Sequence, residues 1–143
     1  KKEVSSTVGH KLMDNHPFSF NRLVQAENNM GSLKNALKNG NYDSFIELVE
    51  LEALTLHAMM LTSKPYFILM KPNTLEIINL IWNYRKKNLS KVCFTLDAGA
   101  NIHLLYPKRE FIKIQEFIKN ELSIFCDSNR FINDMIGNGP FKL

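Results

Sequence analysis

The chain has 143 residues, of which 45% are hydrophobic and 22% are charged, so it can bury a core of its own and is not a disordered tail. Its apolar runs, such as Phe67 to Met70, are far shorter than the roughly 20 residues that span a bilayer. The formal net charge of +4 is spread along the chain and forms no basic block. We therefore expect no membrane partner and no nucleic-acid partner.

The two cysteines, Cys93 and Cys126, lie in apolar stretches without a partner at zinc-like or thioredoxin-like spacing. This pattern favours buried, reduced thiols over a disulfide or a metal site. A reducing compartment, and so a cytoplasmic protein, is the expectation.

Residues 1–16 begin with β-favouring and small side chains and are predicted to form a strand that runs into a loop. A first helix is predicted from about Phe20 to Asn39, where Gly40 supplies a stop signal. Its apolar residues recur at three- and four-residue steps and are expected to form one buried stripe, consisting of Leu23, Ala26, Met30, Leu33 and Leu37.

A second helix is predicted to begin near Asp43, because Asn41 and Asp43 can accept hydrogen bonds from free amides, and to end before Pro65. Its inward residues should be Ile46, Val49, Ala53, Leu56 and Met60. The run from Tyr66 to Met70 is short enough to be a strand or an irregular buried segment, and periodicity does not choose between them.

A third helix is expected after Pro72, capped by Asn73 or Thr74 and closed by Asn88. Its predicted inner face consists of Leu75, Ile78, Ile81 and Trp82. A fourth helix should follow Pro107, with an inward face of Phe111, Ile114, Ile118 and Leu122.

Two alternating stretches, Val92 to Leu96 and Ile102 to Tyr106, flank a tight segment and predict a hairpin. A last strand is predicted over Phe131 to Ile136. Helices and strands in this segregated order indicate an α+β domain, in which helices pack on one face of a largely antiparallel sheet of three or four strands.

Asp97 is the most informative carboxylate, because it ends the first hairpin strand and precedes three small residues, Ala98, Gly99 and Ala100. A ligand could approach the backbone there. The alternative is that Asp97 and Asn101 are turn residues whose side chains bond their own backbone. Spacing alone leaves both interpretations open.

A second candidate is the run of hydroxyls Ser5, Ser6 and Thr7, followed by Gly9, which could hold an anionic group. Edge strands commonly carry such residues, so the motif is weak by itself. The four histidines show no metal-ligand spacing, and His57 is expected to be a core histidine that bonds a backbone carbonyl. The sequence contains no self-contained nucleotide loop.

These segments resemble the carboxy-terminal half of the diphosphomevalonate decarboxylases, in the GHMP (sugar and mevalonate) kinase superfamily. The resemblance covers nearly the whole chain. Val4 to Gly9 resembles the family's serine-rich segment, and Leu56-His57-Ala58 resembles its His-Ala element. The most specific part is Phe94 to Asn101, which resembles the family's Asp-Ala-Gly-Pro-Asn signature.

The resemblance implies a ferredoxin-like α+β domain over residues 1–143, with residues 1–16 connecting it to an amino-terminal ATP-binding domain that this chain lacks. It also implies that ATP and Mg²⁺, both bound mainly by the missing half, serve the phosphorylation and decarboxylation of mevalonate 5-diphosphate to isopentenyl diphosphate. The full-length protein is expected to be a homodimer, and this fragment alone is expected to be inactive.

In that resemblance Asp97 matches the catalytic aspartate, and Ser6 matches a substrate-binding serine with Ser5 and Thr7 as its neighbours. Asn101, also counted as substrate-binding, would shape the loop beside Asp97. Two positions depart from the family pattern: Ala100 stands in place of the usual proline, and His10 in place of a common methionine. Neither departure removes a reacting group.

There are two alternative functions. The first is that of a related enzyme that acts on mevalonate or its monophosphate. The second is that of a non-catalytic binding module, which is disfavoured because the first hairpin strand lacks a pattern that stacks nucleic-acid bases.

Overall fold

Four α-helices and one two-stranded sheet are found in residues 13–137 and 139, the part of the chain that the computed structural model describes. The α+β class is confirmed. The elements in chain order are α1 Ser19–Asn39, α2 Tyr42–Thr62, α3 Pro72–Asn88, β1 Cys93–Leu96, β2 Ile102–Leu105 and α4 Phe111–Phe117. A π-helical turn, Ile118–Leu122, continues α4, and short 3-10 turns cover Lys108–Glu110, Ser123–Phe125 and Asp127–Asn129.

The junction between α1 and α2 forms as the sequence predicts. Gly40 ends α1 in the left-handed conformation at φ 63°, which glycine adopts without a steric penalty, and its amide donates to the helix carbonyls. Asn41 caps α2, because its side-chain oxygen accepts from the Ser44 amide at 3.1 Å. The two helices therefore follow each other within a few residues and pack side by side.

Helix α3 starts slightly earlier than predicted. Pro72 is its first residue, which costs no hydrogen bond because the first amides of a helix lack partners inside it. Thr74, predicted as a possible cap residue, lies inside the helix and accepts from the Lys71 amide through its hydroxyl, at 3.1 Å. The helix ends at Asn88, as predicted, and Leu89 follows at φ 50°.

Strands β1 and β2 form the predicted hairpin and pair antiparallel, with Cys93 opposite Leu105 and Leu96 opposite Ile102. This register closes the hairpin at the segment 97–101. The sheet has two strands among the described residues. The strand predicted over Phe131 to Ile136 is wrong, because those residues form no ladder and mostly remain exposed, with nothing to pair against.

The core lies between α2, α3, β1 and the α4 region. Its most deeply buried members come from α3, β1 and α4, and the buried set consists of Ala53, Ile78, Ile81, Val92, Phe94, Leu96, Ile114, Phe117, Ile118 and Leu122. The predicted inward faces of α2, α3 and α4 are largely confirmed. The exceptions are Leu75, Trp82 and Phe111, which are 50%, 38% and 49% exposed.

The buried stripe predicted for α1 is wrong. Leu23, Met30 and Leu37 are 67%, 52% and 62% exposed. The other two members of the predicted stripe, Ala26 and Leu33, are half-buried. Polar contacts also join α1 to α2, since Arg22 and Asn29 both bond Glu52. Periodicity located the helix but did not say which neighbour would cover its apolar side.

The segment Tyr66 to Met70, which the sequence left open, is irregular, and the Phe67 amide donates to the Met60 carbonyl at 3.3 Å. Met13 and Asp14 are helical where a loop was predicted. The strand predicted near Val4 lies outside the described residues. Among the described helices, none is both long and apolar enough to cross a membrane.

Candidate functional site

Asp97 lies at the tip of the hairpin, directly after β1, and its side chain is exposed. Strand β1 is itself buried, so the tip extends from the best-packed part of the domain. The following residues, Ala98, Gly99 and Ala100, are half-buried. We define the Asp97 loop as residues 97–101.

The backbone of the Asp97 loop folds back on itself. The Gly99 amide donates to the Asp97 carbonyl at 2.7 Å, and the Ala98 amide donates to Asp97 Oδ1 at 2.7 Å. The second bond is the turn role that the sequence offered as an alternative, and it restrains the carboxylate while leaving it exposed. A side chain added at Gly99 would meet no atom of the described residues within 4 Å. This side of the loop is therefore open to a ligand.

His57 contacts the first residue of the Asp97 loop from α2. The ring is only 2% exposed, and Nε2 lies 3.3 Å from the Asp97 carbonyl oxygen. A carbonyl only accepts, so Nε2 carries the proton. Burial lowers the pKa of His57, and the hydrogen bond to Asp97 opposes that shift only in part. The prediction of a core histidine bonded to a backbone carbonyl is confirmed.

Thr74 contacts the other end of the loop from α3. Its hydroxyl donates to the Ala100 carbonyl at 3.0 Å, and the residue is 2% exposed. The sequence suggested Thr74 only as a cap residue. Its contact with the loop joins residues 26 positions apart, and no local pattern could have revealed it.

Glu50 organises the start of β1. Its buried carboxylate accepts from Arg85 at 2.5 and 3.0 Å and from the Trp82 indole at 2.9 Å, and it lies 3.4 Å from the Phe94 amide. Glu50 in turn raises the pKa of Arg85. Because Arg85 also donates to the Val92 carbonyl, this cluster ties α2 and α3 to the strand that leads to Asp97. Sequence analysis missed it.

Cys93, in the same strand, is an inert core thiol. It is buried and unpaired, and burial, followed by the charge of Glu50, raises its pKa to about 12. At neutral pH the thiol is therefore protonated and a poor nucleophile. The prediction of a buried, reduced cysteine is confirmed for Cys93, while Cys126 is only half-buried.

The other predicted site residues divide into two groups. Asn101 is exposed at the end of the Asp97 loop and therefore belongs to the same loop as Asp97. Ser5, Ser6 and Thr7 lie outside the described residues. Within the described part of the chain, no group of three His, Cys, Asp or Glu residues could hold a metal ion.

A cleft of about 490 Å³ lies between α1 and α2 and is lined by residues such as Arg22, Thr55 and Met59. No residue of the Asp97 loop lines it. The candidate site is therefore the exposed loop at the hairpin tip, which accepts hydrogen bonds from side chains of α2 and α3.

The family model that describes the mevalonate 5-diphosphate decarboxylase C-terminal domain matches residues 1–138. This chain belongs to that family. The match confirms the family that the sequence resembles.

Two curated relatives are similar over part of their length. A diphosphomevalonate decarboxylase from Ganoderma lucidum is 27% identical over 125 residues, which are 82% of this chain and 31% of that protein. A phosphomevalonate decarboxylase from Haloferax volcanii is 24% identical over 105 residues, which are 73% of this chain and 32% of that protein. The chain thus spans about a third of the curated relatives it matches.

Solved structures show the same similarity in three dimensions. A mevalonate diphosphate decarboxylase from Legionella pneumophila matches with a TM-score of 0.79 at 32% identity, covering 85% of this chain and 39% of that chain. A relative in complex with MVAPP, AMPPCP and magnesium has a TM-score of 0.79 at 26% identity, covering 87% of this chain and 38% of that chain. The arrangement of α2, α3 and the hairpin is therefore the arrangement of this family.

Proposed function

We propose that this chain is the carboxy-terminal domain of an ATP-dependent decarboxylase that converts mevalonate 5-diphosphate to isopentenyl diphosphate. The observation that carries the proposal is the exposed Asp97 at the tip of the supported hairpin, in a chain that belongs to the decarboxylase family. The aligned residues make up only 32% and 31% of the two curated relatives, so the proposal requires an amino-terminal half as well. In that arrangement residues 1–16 connect the two halves.

Asp97 is the proposed catalytic residue. Its carboxylate would orient the 3-hydroxyl of the substrate and take its proton as the oxygen forms a bond to the γ-phosphorus of ATP, with ADP leaving. The carbon–oxygen bond then breaks as phosphate departs with the electron pair. The electrons of the bond to the carboxylate form the new double bond, and carbon dioxide is released.

Ser6, with Ser5 and Thr7 beside it, is proposed to bind the substrate, and Asn101 to shape the loop next to Asp97. The support for the hydroxyl run is its resemblance to the family's serine-rich segment. For Asn101 the support is its exposed position at the end of the Asp97 loop.

ATP and magnesium are proposed cofactors, supported by the relative that is in complex with AMPPCP and magnesium. The described residues do not themselves offer a cluster of acidic groups that fits magnesium. As the family resemblance implies, we assign both groups mainly to the amino-terminal half and give this domain the substrate side of the site. When bound, the metal would offset phosphate charge.

The deciding experiment compares Asp97→Asn with the unaltered enzyme, in a full-length protein that joins this chain to its amino-terminal half. Turnover of mevalonate 5-diphosphate and ATP is followed as release of carbon dioxide. We expect a loss of about 10² to 10⁴ in kcat with little change in KM, because the amide keeps the shape but cannot accept the proton. Unchanged turnover would make Asp97 a turn residue only.

A matched control uses Asp127→Asn, because Asp127 is an exposed aspartate that also lies in a short turn but far along the chain. We expect this variant to keep its turnover. The 143-residue chain alone should release no carbon dioxide, and measurable release by it would contradict the two-half arrangement.

A second candidate function is decarboxylation of the monophosphate. The similarity to the phosphomevalonate decarboxylase of Haloferax volcanii favours it. A competition assay with both substrates decides, since an enzyme that needs the second phosphate will discriminate strongly against the substrate that lacks it.

A cytoplasmic homodimer is part of the proposal. The unpaired state of both cysteines supports a reducing compartment. Dimer formation rests on the family resemblance, and the mass of the full-length protein in solution tests it.

A further inference from the structure

We propose that His57 and Thr74 are positioning residues for Asp97, each holding one end of the Asp97 loop from a different helix. The inference rests on the proposed function, in which Asp97 orients and deprotonates the substrate hydroxyl. It adds two residues that do not touch the substrate but fix the place from which the carboxylate acts.

At the first end, the Asp97 carbonyl oxygen accepts two hydrogen bonds. One comes from the Gly99 amide at 2.7 Å, within the loop, and the other from His57 Nε2 at 3.3 Å. A carbonyl has two lone pairs, so these two donors saturate it. Since His57 is buried in the last third of α2, a helix that packs against both α1 and β1, the bond ties the backbone of Asp97 to a well-packed element.

At the second end, Thr74 uses both capacities of its hydroxyl. The oxygen accepts from the Lys71 amide at 3.1 Å, and the hydroxyl hydrogen goes to the Ala100 carbonyl at 3.0 Å. The first bond fixes the start of α3, and the second holds the end of the Asp97 loop against this part of the helix. The described residues give Ala100 no other side-chain hydrogen bond to its carbonyl.

The loop needs these contacts with the helices because its own small side chains, at residues 98–100, provide little packing. Ala98, Gly99 and Ala100 supply two methyl groups between them, and glycine gives the backbone the largest conformational freedom. Alanine at position 100 also lacks the φ restraint that proline would give. Misplacement of a reacting group by about 1 Å can cost about 10²-fold in rate, so loosening either end should lower kcat.

Two pairs of variants in the full-length enzyme test this. His57→Gln keeps an N–H donor at about the position of Nε2. His57→Asn also has an N–H donor, but its shorter side chain does not reach the Asp97 carbonyl. Thr74→Ser keeps the hydroxyl, whereas Thr74→Val keeps the shape without it. We expect the Gln and Ser variants to stay within about threefold of the unaltered kcat, and the Asn and Val variants to lose about 10- to 100-fold with KM nearly unchanged.

Hydrogen exchange of the segment 97–101 gives a second readout that does not depend on activity. We expect faster exchange there in His57→Asn and Thr74→Val than in their conservative partners. A purely structural role predicts a different result: both members of each pair would differ only in global unfolding, and kcat per folded molecule would stay constant. That result, or equal kcat in all four variants, overturns the proposal.

The unaltered enzyme and Asp97→Asn are measured in the same assay, so the two hypotheses fail in different ways. If the unaltered enzyme turns over the substrate and His57→Asn and Thr74→Val match it, the positioning role is wrong and the function stands. If Asp97→Asn keeps full activity, the proposed role of Asp97 is wrong, and with it any catalytic consequence of holding the loop.

Discussion

Helices α1 and α2 have the same length, 21 residues, and lie side by side, yet they relate to the core in opposite ways. Helix α2 buries six residues, among them the polar Glu50 and His57, whereas Ala36 is the one buried residue of α1. The difference arises because α2 is covered by β1 on one side and by α1 on the other, while α1, among the described elements, packs mainly against α2. Amphipathic periodicity is thus a property of the helix, and burial is a property of its neighbours.

The largest expected effect contrasts two glutamates of α2. Glu50→Ala should lower the free energy of unfolding by about 3 to 5 kcal/mol, because it removes a buried carboxylate and leaves the half-buried Arg85 guanidinium without its partner. Glu52, two residues further on, faces α1 and is about one-third exposed. Glu52→Ala removes its ion pair with Arg22 and should lower the free energy of unfolding by about 1 kcal/mol. Urea unfolding of both variants measures the difference, and equal losses would contradict the contrast. If Glu50→Ala does not fold, Glu50→Gln, which keeps an acceptor, replaces it.

The next effect contrasts two methionines. Met60→Ala in α2 removes a buried side chain and should cost about 2 to 4 kcal/mol, from lost burial and the cavity left behind. Met30→Ala in α1 removes a half-exposed one and should cost less than about 0.5 kcal/mol. Thermal and urea unfolding decide. A comparable loss at Met30 would show that the α1 face is covered in solution.

A smaller effect is expected on the apolar side of α1. Leu23→Lys in the 143-residue chain should change the free energy of unfolding by less than about 0.5 kcal/mol, because the side chain already faces solvent. The same substitution in the full-length protein sharpens the comparison. A loss above about 1 kcal/mol there, but not in the 143-residue chain, would assign the covering of this face to the rest of the protein.

The smallest expected effect is the pH dependence that comes from His57. Burial lowers its pKa, so the unfolded chain binds a proton more readily than the folded one, and stability falls as the pH drops below about 6.5. His57→Gln cannot take up that proton and should show a shallower loss of stability between about pH 6.5 and 5. Urea midpoints across this range provide the measurement. If the urea midpoints of the two proteins fall in parallel as the pH drops, His57 contributes nothing to the loss of stability at acid pH.

Local chemistry made much of the fold predictable. Gly40 and Asn41 marked the junction of α1 and α2, and alternating side chains marked both hairpin strands, because these signals act within a few residues. The last strand, from Phe131, failed because strand pairing requires a partner that no local pattern guarantees. The buried stripe of α1 failed for the same reason, since a helix face needs a neighbour to cover it.

The candidate site shows the same division. Asp97 could be singled out because small residues follow it at the end of an apolar strand, and His57 could be predicted to bond a backbone carbonyl. Which carbonyl it bonds was not visible, since 40 residues separate the two groups in the chain. The Thr74 contact and the Glu50 cluster were missed entirely. The first joins a side chain of α3 to a loop carbonyl 26 positions away, and the second joins side chains of α2 and α3 to the start of β1.

By itself, the sequence determined where most helices begin and end, the hairpin, and the aspartate at its tip, because capping, periodicity and small residues are written in neighbouring positions. The tertiary structure alone decided which apolar faces are covered and which buried polar groups meet. Those outcomes depend on the packing of α2, α3 and β1 against one another, where a buried donor must find its acceptor across long separations in the chain. The support of the Asp97 loop by His57 and Thr74 belongs to this second class.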